Sequence, residues 1–216
     1  MSGDAPLRQA ETALLAAMTK LAPSGVRIGC RSIRSGDENL LLPEEAHSIL
    51  SRRLEARRAS GAARASARQL LAREGIEDAV IRRAVSGAPL WPPGFVGSLA
   101  HDDVIAVAAV GRRTEVLSLG IDVEPAERLP EDVAAIVQTP DDILGDIDER
   151  LASRLLFSAK EAVYKASYPL DGIVLGYEHI AVDLKARTAV TAGGCKVWFS
   201  FCLFPRIVVL ANVPLR

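Results

Sequence analysis

An α+β fold is predicted for this chain of 216 residues. Three observations predict it. The first half is rich in Ala and Arg and reads mostly as helix. Two apolar strand candidates sit near the middle. After one more helix, the remainder breaks into short strand-like segments punctuated by glycines and prolines. Helices and strands that are grouped rather than alternating favour α+β over a regular parallel sheet.

The elements follow in order. Residues 7–21 place Leu14, Leu15, Met18 and Leu21 at helical spacing, so a helix with one apolar face is expected. Pro23 and Gly25 end it, and residues 26–30 form a short strand. Pro43 with Glu44 and Glu45 opens a second helix: Pro suits an early position, and acids suit the positive end of the helix dipole. The Ala- and Arg-rich run to Gly75 predicts mostly helix, with Gly61 as an irregularity and Gly75 as its stop. PLWPPGFVGSLAHDD is dense in Pro and Gly and predicts a structured loop. VIAVAAV, residues 104–110, predicts a strand buried on both faces. Residues 111–113 turn the chain, and residues 116–123 give a second strand that can pair with the first as a hairpin. Residues 125–145 are acidic and carry prolines, which predicts a loop with short helical pieces. A helix follows over 148–168. Strands then fall at 177–184, 188–191, 195–203 and 207–213, with Gly193-Gly194 as a hairpin turn.

Bulk properties exclude several classes. The 26 Lys and Arg balance 27 Asp and Glu, for a formal charge of -1, so bulk electrostatics give no case for nucleic acid. No segment approaches about eighteen uninterrupted apolar residues, so no membrane span is expected. The first twenty residues lack the basic start and long apolar core of a signal peptide. Cys30, Cys195 and Cys202 form no CxxC pair and suggest reduced thiols in a cytoplasmic protein.

Three short stretches carry candidate chemistry. In LGIDVEP, Asp122 and Glu124 are two apart, so a strand sends both carboxylates to one face. Clustered carboxylates repel unless a positive charge lies between them, and oxygen ligands suit Mg²⁺. Two solvated acids at a strand end are the plain alternative. In LLFSAKEAVYKASYP, Glu161 and Lys165 share a helix face. A solvent-facing pair of that kind contributes only about 0.2–0.5 kcal/mol, and Glu161 could instead be a third carboxylate for the metal. In GSLAHDD, His101 can bond a phosphate or act as an acid or base, while Gly97 and Ser98 offer backbone donors and a hydroxyl. An ordinary loop histidine is the alternative. The arginines at 52, 53, 57, 58, 64 and 68 form either a solvated helix face or a site for an anionic partner, which Arg82 and Arg83 could extend.

In combination these stretches resemble the 4'-phosphopantetheinyl transferases of the larger, monomeric kind, which serve siderophore, polyketide and nonribosomal peptide synthesis. WPPGFVGSLAH resembles the family's Trp-Pro, Gly and Gly-Ser-Leu/Ile-Thr-His block, with Ala100 where Thr is common. LGIDVEP resembles its metal-binding strand. FSAKEAVYKASYP resembles its Phe-Ser-x-Lys-Glu-Ala-x-Tyr-Lys-Ala helix, and RRLEARRASGAAR its arginine-bearing helix. The blocks come in the family's order over roughly residues 44–184. There are departures: Ser60, Ala56 and Ala62 stand where relatives often carry Arg, Phe and Arg, and VSGAP replaces a loop that often holds lysines.

The resemblance implies two similar subdomains in a pseudo-twofold arrangement, each a long helix on a small antiparallel sheet, divided as 1–113 and 114–216. It implies transfer of the phosphopantetheine arm of coenzyme A to a serine of an apo acyl, peptidyl or aryl carrier protein, by a cytoplasmic monomer using Mg²⁺. It implies Asp122, Glu124 and Glu161 as metal ligands. It implies Arg53, Ser98, His101, Lys160 and Lys165 as coenzyme A contacts, with Lys165 the pyrophosphate contact; where the family's residues are missing, Arg57, Arg64 or Arg83 could compensate. Glu161 is the candidate to accept the serine proton, with Lys165 and Asp122 beside it in the catalytic set. The alternative is a catalytically weak or inactive relative that binds a carrier protein or nucleotide.

Overall fold

The computed structural model describes residues 4–215, with side chains from residue 8 onward. Residues 1–3 and 216, at the outer ends of the two expected halves, lie outside the described residues. The fold is α+β, with two similar subdomains. In the first, β1 (Val26–Ser32), β3 (Ile105–Arg112) and β2 (Phe95–His101) form an antiparallel sheet in the order β1-β3-β2. Its helices are α1 (Asp4–Thr19), α2 (Pro43–Ser48) and the long α3 (Leu54–Ala72). In the second, β4 (Val116–Glu124), β8 (Ile207–Pro214), β7 (Lys196–Cys202), β6 (Thr188–Thr191) and β5 (Ile180–Asp183) are antiparallel neighbours in that order. Its helices are α4 (Glu131–Val137) and the long α5 (Glu149–Asp171).

Strand alternation explains how the layers stack. In β3, Ile105, Val107 and Ala109 point to one face and Ala106, Ala108 and Val110 to the other. The first set joins Leu119, Ile121 and Val123 of β4 and Val208 and Leu210 of β8 in a core shared by the two sheets, sealed by Leu14 and Met18 of α1. The second set packs under α3. On the far side of the second sheet, Leu155, Leu156, Ala159, Ala162, Val163 and Ala166 of α5 cover Val197, Phe199, Val209 and Ala211. Each fully buried Leu or Val contributes about 1.5–3 kcal/mol, so these faces fix the position of both long helices. An ion pair between Arg206 and Asp102, 2.5 Å apart, also joins the subdomains.

Several expectations are corrected. The segment expected as a structured loop contains β2, because residues 95–101 find a full antiparallel register on β3 despite their glycines. The two central strands do not form a hairpin: β3 lies between β1 and β2, while β4 pairs with β8 in the other sheet. The helix from Pro43 is not continuous. It stops at Ser48 because Ile49 turns extended with its side chain buried, and α3 restarts after Arg53, also extended. Gly61 is no irregularity: a Cβ there would stand 1.9 Å from the Asp37 carbonyl oxygen, so glycine permits close approach to the 3-10 turn at Asp37–Leu40. Leu15 is partly exposed, unlike Leu14 and Met18.

The arginine face is also more structural than expected. Fully buried Glu45 receives both of its oxygens' contacts from Arg68 Nη1 at 2.8 Å, and its Oε1 accepts the Ile81 N–H at 2.9 Å. Arg64 is buried, and its Nε donates to the Ile81 carbonyl at 2.8 Å. Burial holds its pKa below the ordinary value. Charges placed in the interior need such partners, and these two arginines are consumed by them. Arg64 therefore does not serve as a substitute cofactor contact.

Candidate active site

The site is built on the face of β4 that looks toward α5. Ile121 and Val123 occupy the shared core, so the alternate residues Asp122 and Glu124 face the helix. Gly120 lets the helix come close: a Cβ there would stand 1.9 Å from the Ala162 carbonyl oxygen. Lys165 Nζ thereby reaches Asp122 Oδ1 at 2.8 Å and the Ile121 carbonyl oxygen at 3.2 Å. It turns to Asp122 rather than to Glu161, its neighbour on the helix face. Arg154 Nη1 donates to Glu124 Oε2 at 2.8 Å. Glu161 Oε1 accepts the Tyr177 hydroxyl at 3.0 Å.

A cavity of about 600 Å³ opens between the subdomains. Arg83, Trp91 and Ser98 line it from the first, and Glu161, Lys165 and Tyr168 from the second. A smaller cavity of about 340 Å³, with Lys160, Leu175 and Tyr177 in its walls, shares Glu161 and Tyr164 with the first. Glu161 thus stands at the boundary between two compartments.

Other expected residues lie apart. β2 sends Ser98 and His101 to opposite faces, because they are three positions apart on a strand. The family resemblance implied both as neighbours in one coenzyme A phosphate site. Neither His101 nor Arg53 is among the residues lining the two cavities. His101 is exposed at the end of β2, while its imidazole is partly desolvated. That desolvation holds its pKa below the ordinary histidine value, and the positive charge of Lys165 adds to the effect. The packing of α3 places Ala62 and Ala63 over Ala106, and Leu70 and Leu71 over Ala108, Val110 and Phe95. The N-terminal end of α3, with exposed Arg53, therefore lies toward the His101 end of the sheet.

Lys160 corrects an expectation most sharply. Its side chain is completely buried, its Nζ lies 2.7 Å from Asp142 Oδ2, and it donates to the Tyr177 carbonyl at 2.9 Å. The ammonium is spent inside the second subdomain and does not face a phosphate.

Among the described residues, no group of three His, Cys, Asp or Glu side chains is close enough to hold a metal ion. Asp122, Glu124 and Glu161 were expected as a converged ligand set. Each instead has its own partner, in Lys165, Arg154 and Tyr177 respectively. Their chemistry nevertheless fits a hard divalent cation. All donors are carboxylate oxygens, as Mg²⁺ prefers. Asp122 Oδ2 is buried with no hydrogen-bond partner, an acceptor left open toward positive charge. Burial, and then the charge of Asp122, push the Glu124 carboxyl above its usual range. Tyr177 is pushed up to about 12 by burial and by Glu161, with Asp122 and Glu124 adding to it. The three carboxylates therefore concentrate negative potential around one spot.

Comparison with known proteins bears on both halves of the chain. A family model described as the 4'-phosphopantetheinyl transferase N-terminal domain matches residues 44–111, and one for the 4'-phosphopantetheinyl transferase superfamily matches residues 118–204. The chain belongs to the 4'-phosphopantetheinyl transferase superfamily. It is 41% identical over 157 residues to the 4'-phosphopantetheinyl transferase Npt of Nocardia iowensis, covering 70% of this chain and 71% of that protein. It is 39% identical over 158 residues to the 4'-phosphopantetheinyl transferase Svp of Streptomyces mobaraensis, covering 69% and 64%. It is 39% identical over 149 residues to the 4'-phosphopantetheinyl transferase PptT of Mycobacterium tuberculosis, covering 66% and 65%. The matched part is thus just under two thirds of the last two relatives. Phosphopantetheinyl transfer is the activity of the superfamily, and this transferase has the superfamily's pair of subdomains. Among its described residues, no helix is long and apolar enough to cross a membrane.

Three residues of this transferase's site escaped the sequence reading. Arg154 lies two turns ahead of Glu161 on the same stripe of α5, a spacing that could have flagged it. Tyr177 and Asp142 come from irregular segments whose sequence carries no such periodicity.

Proposed function

We propose that this transferase moves the 4'-phosphopantetheine arm of coenzyme A to a serine hydroxyl of an apo carrier protein, with Mg²⁺. The observation that carries this reading is the position of Glu161 and Lys165 in the walls of one cavity that Arg83 and Ser98 line from the other subdomain. The serine oxygen forms a bond to the pantetheine-side phosphorus of the pyrophosphate. The bond from that phosphorus to the oxygen of the leaving half breaks, releasing adenosine 3',5'-bisphosphate. Glu161 takes the serine proton, directly or through a water. Lys165, already beside Asp122, turns its ammonium to the pyrophosphate and offsets its charge. Asp122, Glu124 and Glu161 would hold the Mg²⁺, which when bound supplies further positive charge to the phosphoryl oxygens. Ser98 and Arg83 contact the cofactor in the cleft. His101 and Arg53, at one end of the first sheet, take a more distant phosphate of the same molecule.

The division into working halves falls between residues 113 and 114, supported by the turn there and by the family matches that end at 111 and resume at 118. The enzyme acts as a monomer, and its place is the cytoplasm, a location supported by the three free cysteines. Its carrier belongs to siderophore, polyketide, nonribosomal peptide or fatty-acid synthesis.

The test is mass spectrometry of purified apo carrier proteins incubated with the enzyme, coenzyme A and Mg²⁺. A gain of one phosphopantetheine arm, absent without the metal, is expected. No gain on any of a broad carrier panel, with metal bound, overturns the reading. The separate pairing of the three carboxylates favours one alternative, a relative that binds coenzyme A or a carrier without transfer. Calorimetric binding of coenzyme A without any mass gain would establish that alternative.

A further inference from the structure

Glu161 stands where the two cavities meet, and its two carboxylate oxygens are unequal. The structure contains a device that makes them so. The Tyr177 hydroxyl donates to Oε1 at 3.0 Å, and among the described residues this is the one hydrogen bond that the Glu161 carboxylate receives. The tyrosine is itself gripped. Lys160 donates to its carbonyl oxygen at 2.9 Å, and the Phe157 ring lies 5.9 Å from its ring, centroid to centroid. Consecutive residues of α5 therefore hold the two ends of one tyrosine: Lys160 its backbone and Glu161 its hydroxyl.

The grip reaches further. Lys160 is fixed by Asp142, and both side chains are completely buried. Asp142 Oδ1 accepts the Val182 N–H at 2.9 Å, while its Oδ2 accepts the Thr139 N–H at 2.8 Å. The acidic segment before α5, the strand β5 and the helix thus converge on the placement of Tyr177. The Tyr177 hydroxyl points its proton at the carboxylate oxygen. It acts toward Glu161 only as a donor.

We propose that Tyr177 is a positioning residue for the transfer reaction: its hydroxyl occupies Oε1 of Glu161 and leaves Oε2 as the oxygen that works in the cleft. The inference rests on the reading of Glu161 as the acting carboxylate. Glu side chains have three rotatable bonds, and one fixed oxygen removes most of the freedom of the other. In this arrangement the buried Lys160 serves the chemistry at second hand, by fixing Tyr177.

The test is Tyr177→Phe, which keeps the ring against Phe157 and the carbonyl that Lys160 needs. Turnover is expected to fall roughly tenfold with the KM for coenzyme A unchanged, the loss of one hydrogen bond to the working group. In a Glu161→Gln background the same change should alter turnover less than about twofold, because Tyr177 acts through that carboxylate. Infrared spectra of protein labelled with ¹³C-carboxylate glutamate supply a readout independent of activity. The band lost in Glu161→Gln is expected to shift in Tyr177→Phe. An unshifted band, or a tenfold loss that persists in the Glu161→Gln background, overturns the positioning role. Wild-type protein that transfers no arm to any carrier overturns the functional reading and the role with it, and the infrared shift would then report the hydrogen bond alone.

Discussion

Gly120 of β4 and Ala162 of α5 approach so closely that a methyl group on the glycine would stand 1.9 Å from the Ala162 carbonyl oxygen. That contact sets the height of α5 above the strand. It is the reason that Lys165 meets Asp122 at hydrogen-bond distance. The clash is with backbone, which cannot rotate aside. Gly120→Ala is expected to destabilise the fold by about 1–3 kcal/mol through overpacking. Transfer should fall further than the stability loss explains, because Lys165 and Asp122 are moved apart. Urea unfolding and carrier-loading rates on the same preparation check both parts.

Lys160→Ala leaves Asp142 buried without its cation. Breaking a buried ion pair on one side costs about 3–5 kcal/mol. The expected result is a large fall in the unfolding midpoint, with the KM for coenzyme A unchanged in the protein that stays folded. A raised KM with normal stability would return Lys160 to the role of a phosphate contact.

Glu161→Gln retains the size of the side chain and removes its capacity to take a proton. Turnover is expected to fall about 10²- to 10⁴-fold, the range for loss of a general base. Single-turnover loading of a carrier protein at saturating Mg²⁺ is the measurement. Activity within a few fold of wild type would show that the carboxylate is neither base nor essential ligand.

Glu74 supplies a pH dependence. It accepts hydrogen bonds from Arg27 and, at 2.9 Å, from Arg112 Nε, tying the end of α3 to β1 and β3. Arg27 first, and then Arg112, hold its carboxyl below the ordinary value of 4.5. A depressed carboxylate stabilises the fold fully above that ordinary value, and the contribution is lost as the pH falls through the depressed one. The unfolding midpoint of wild type should thus drop more between about pH 5 and pH 3 than that of Glu74→Gln. The difference will be small, because both arginines are about half exposed.

The course of the chain was legible wherever periodicity and turn residues agreed. Residues 188–191 and the Gly193-Gly194 turn were read as they stand, and so was the acidic segment with its one short helix. Periodicity also sent Asp122 and Glu124 to one face. Partners were the part that could not be read. Propensity ran one helix from Pro43 through Arg53, whereas the burial of Ile49 and the bonds to Glu45 broke it. Proline and glycine made residues 95–101 look irregular, and only their register on β3 makes them a strand. Lys160 and Lys165 carry the same charge on one helix. Their fates differ because one meets buried Asp142 and the other meets the edge of a cleft.

The core shared by the two sheets limits how such a protein can be remodelled. Ile105, Val107 and Ala109 on one side fit Leu119, Ile121 and Val123 on the other. A half taken from a relative would bring its active-site strand but not the matching seam. Chimeric enzymes should therefore assemble only when both walls of the seam come from the same parent, even where every substrate-facing residue has been preserved.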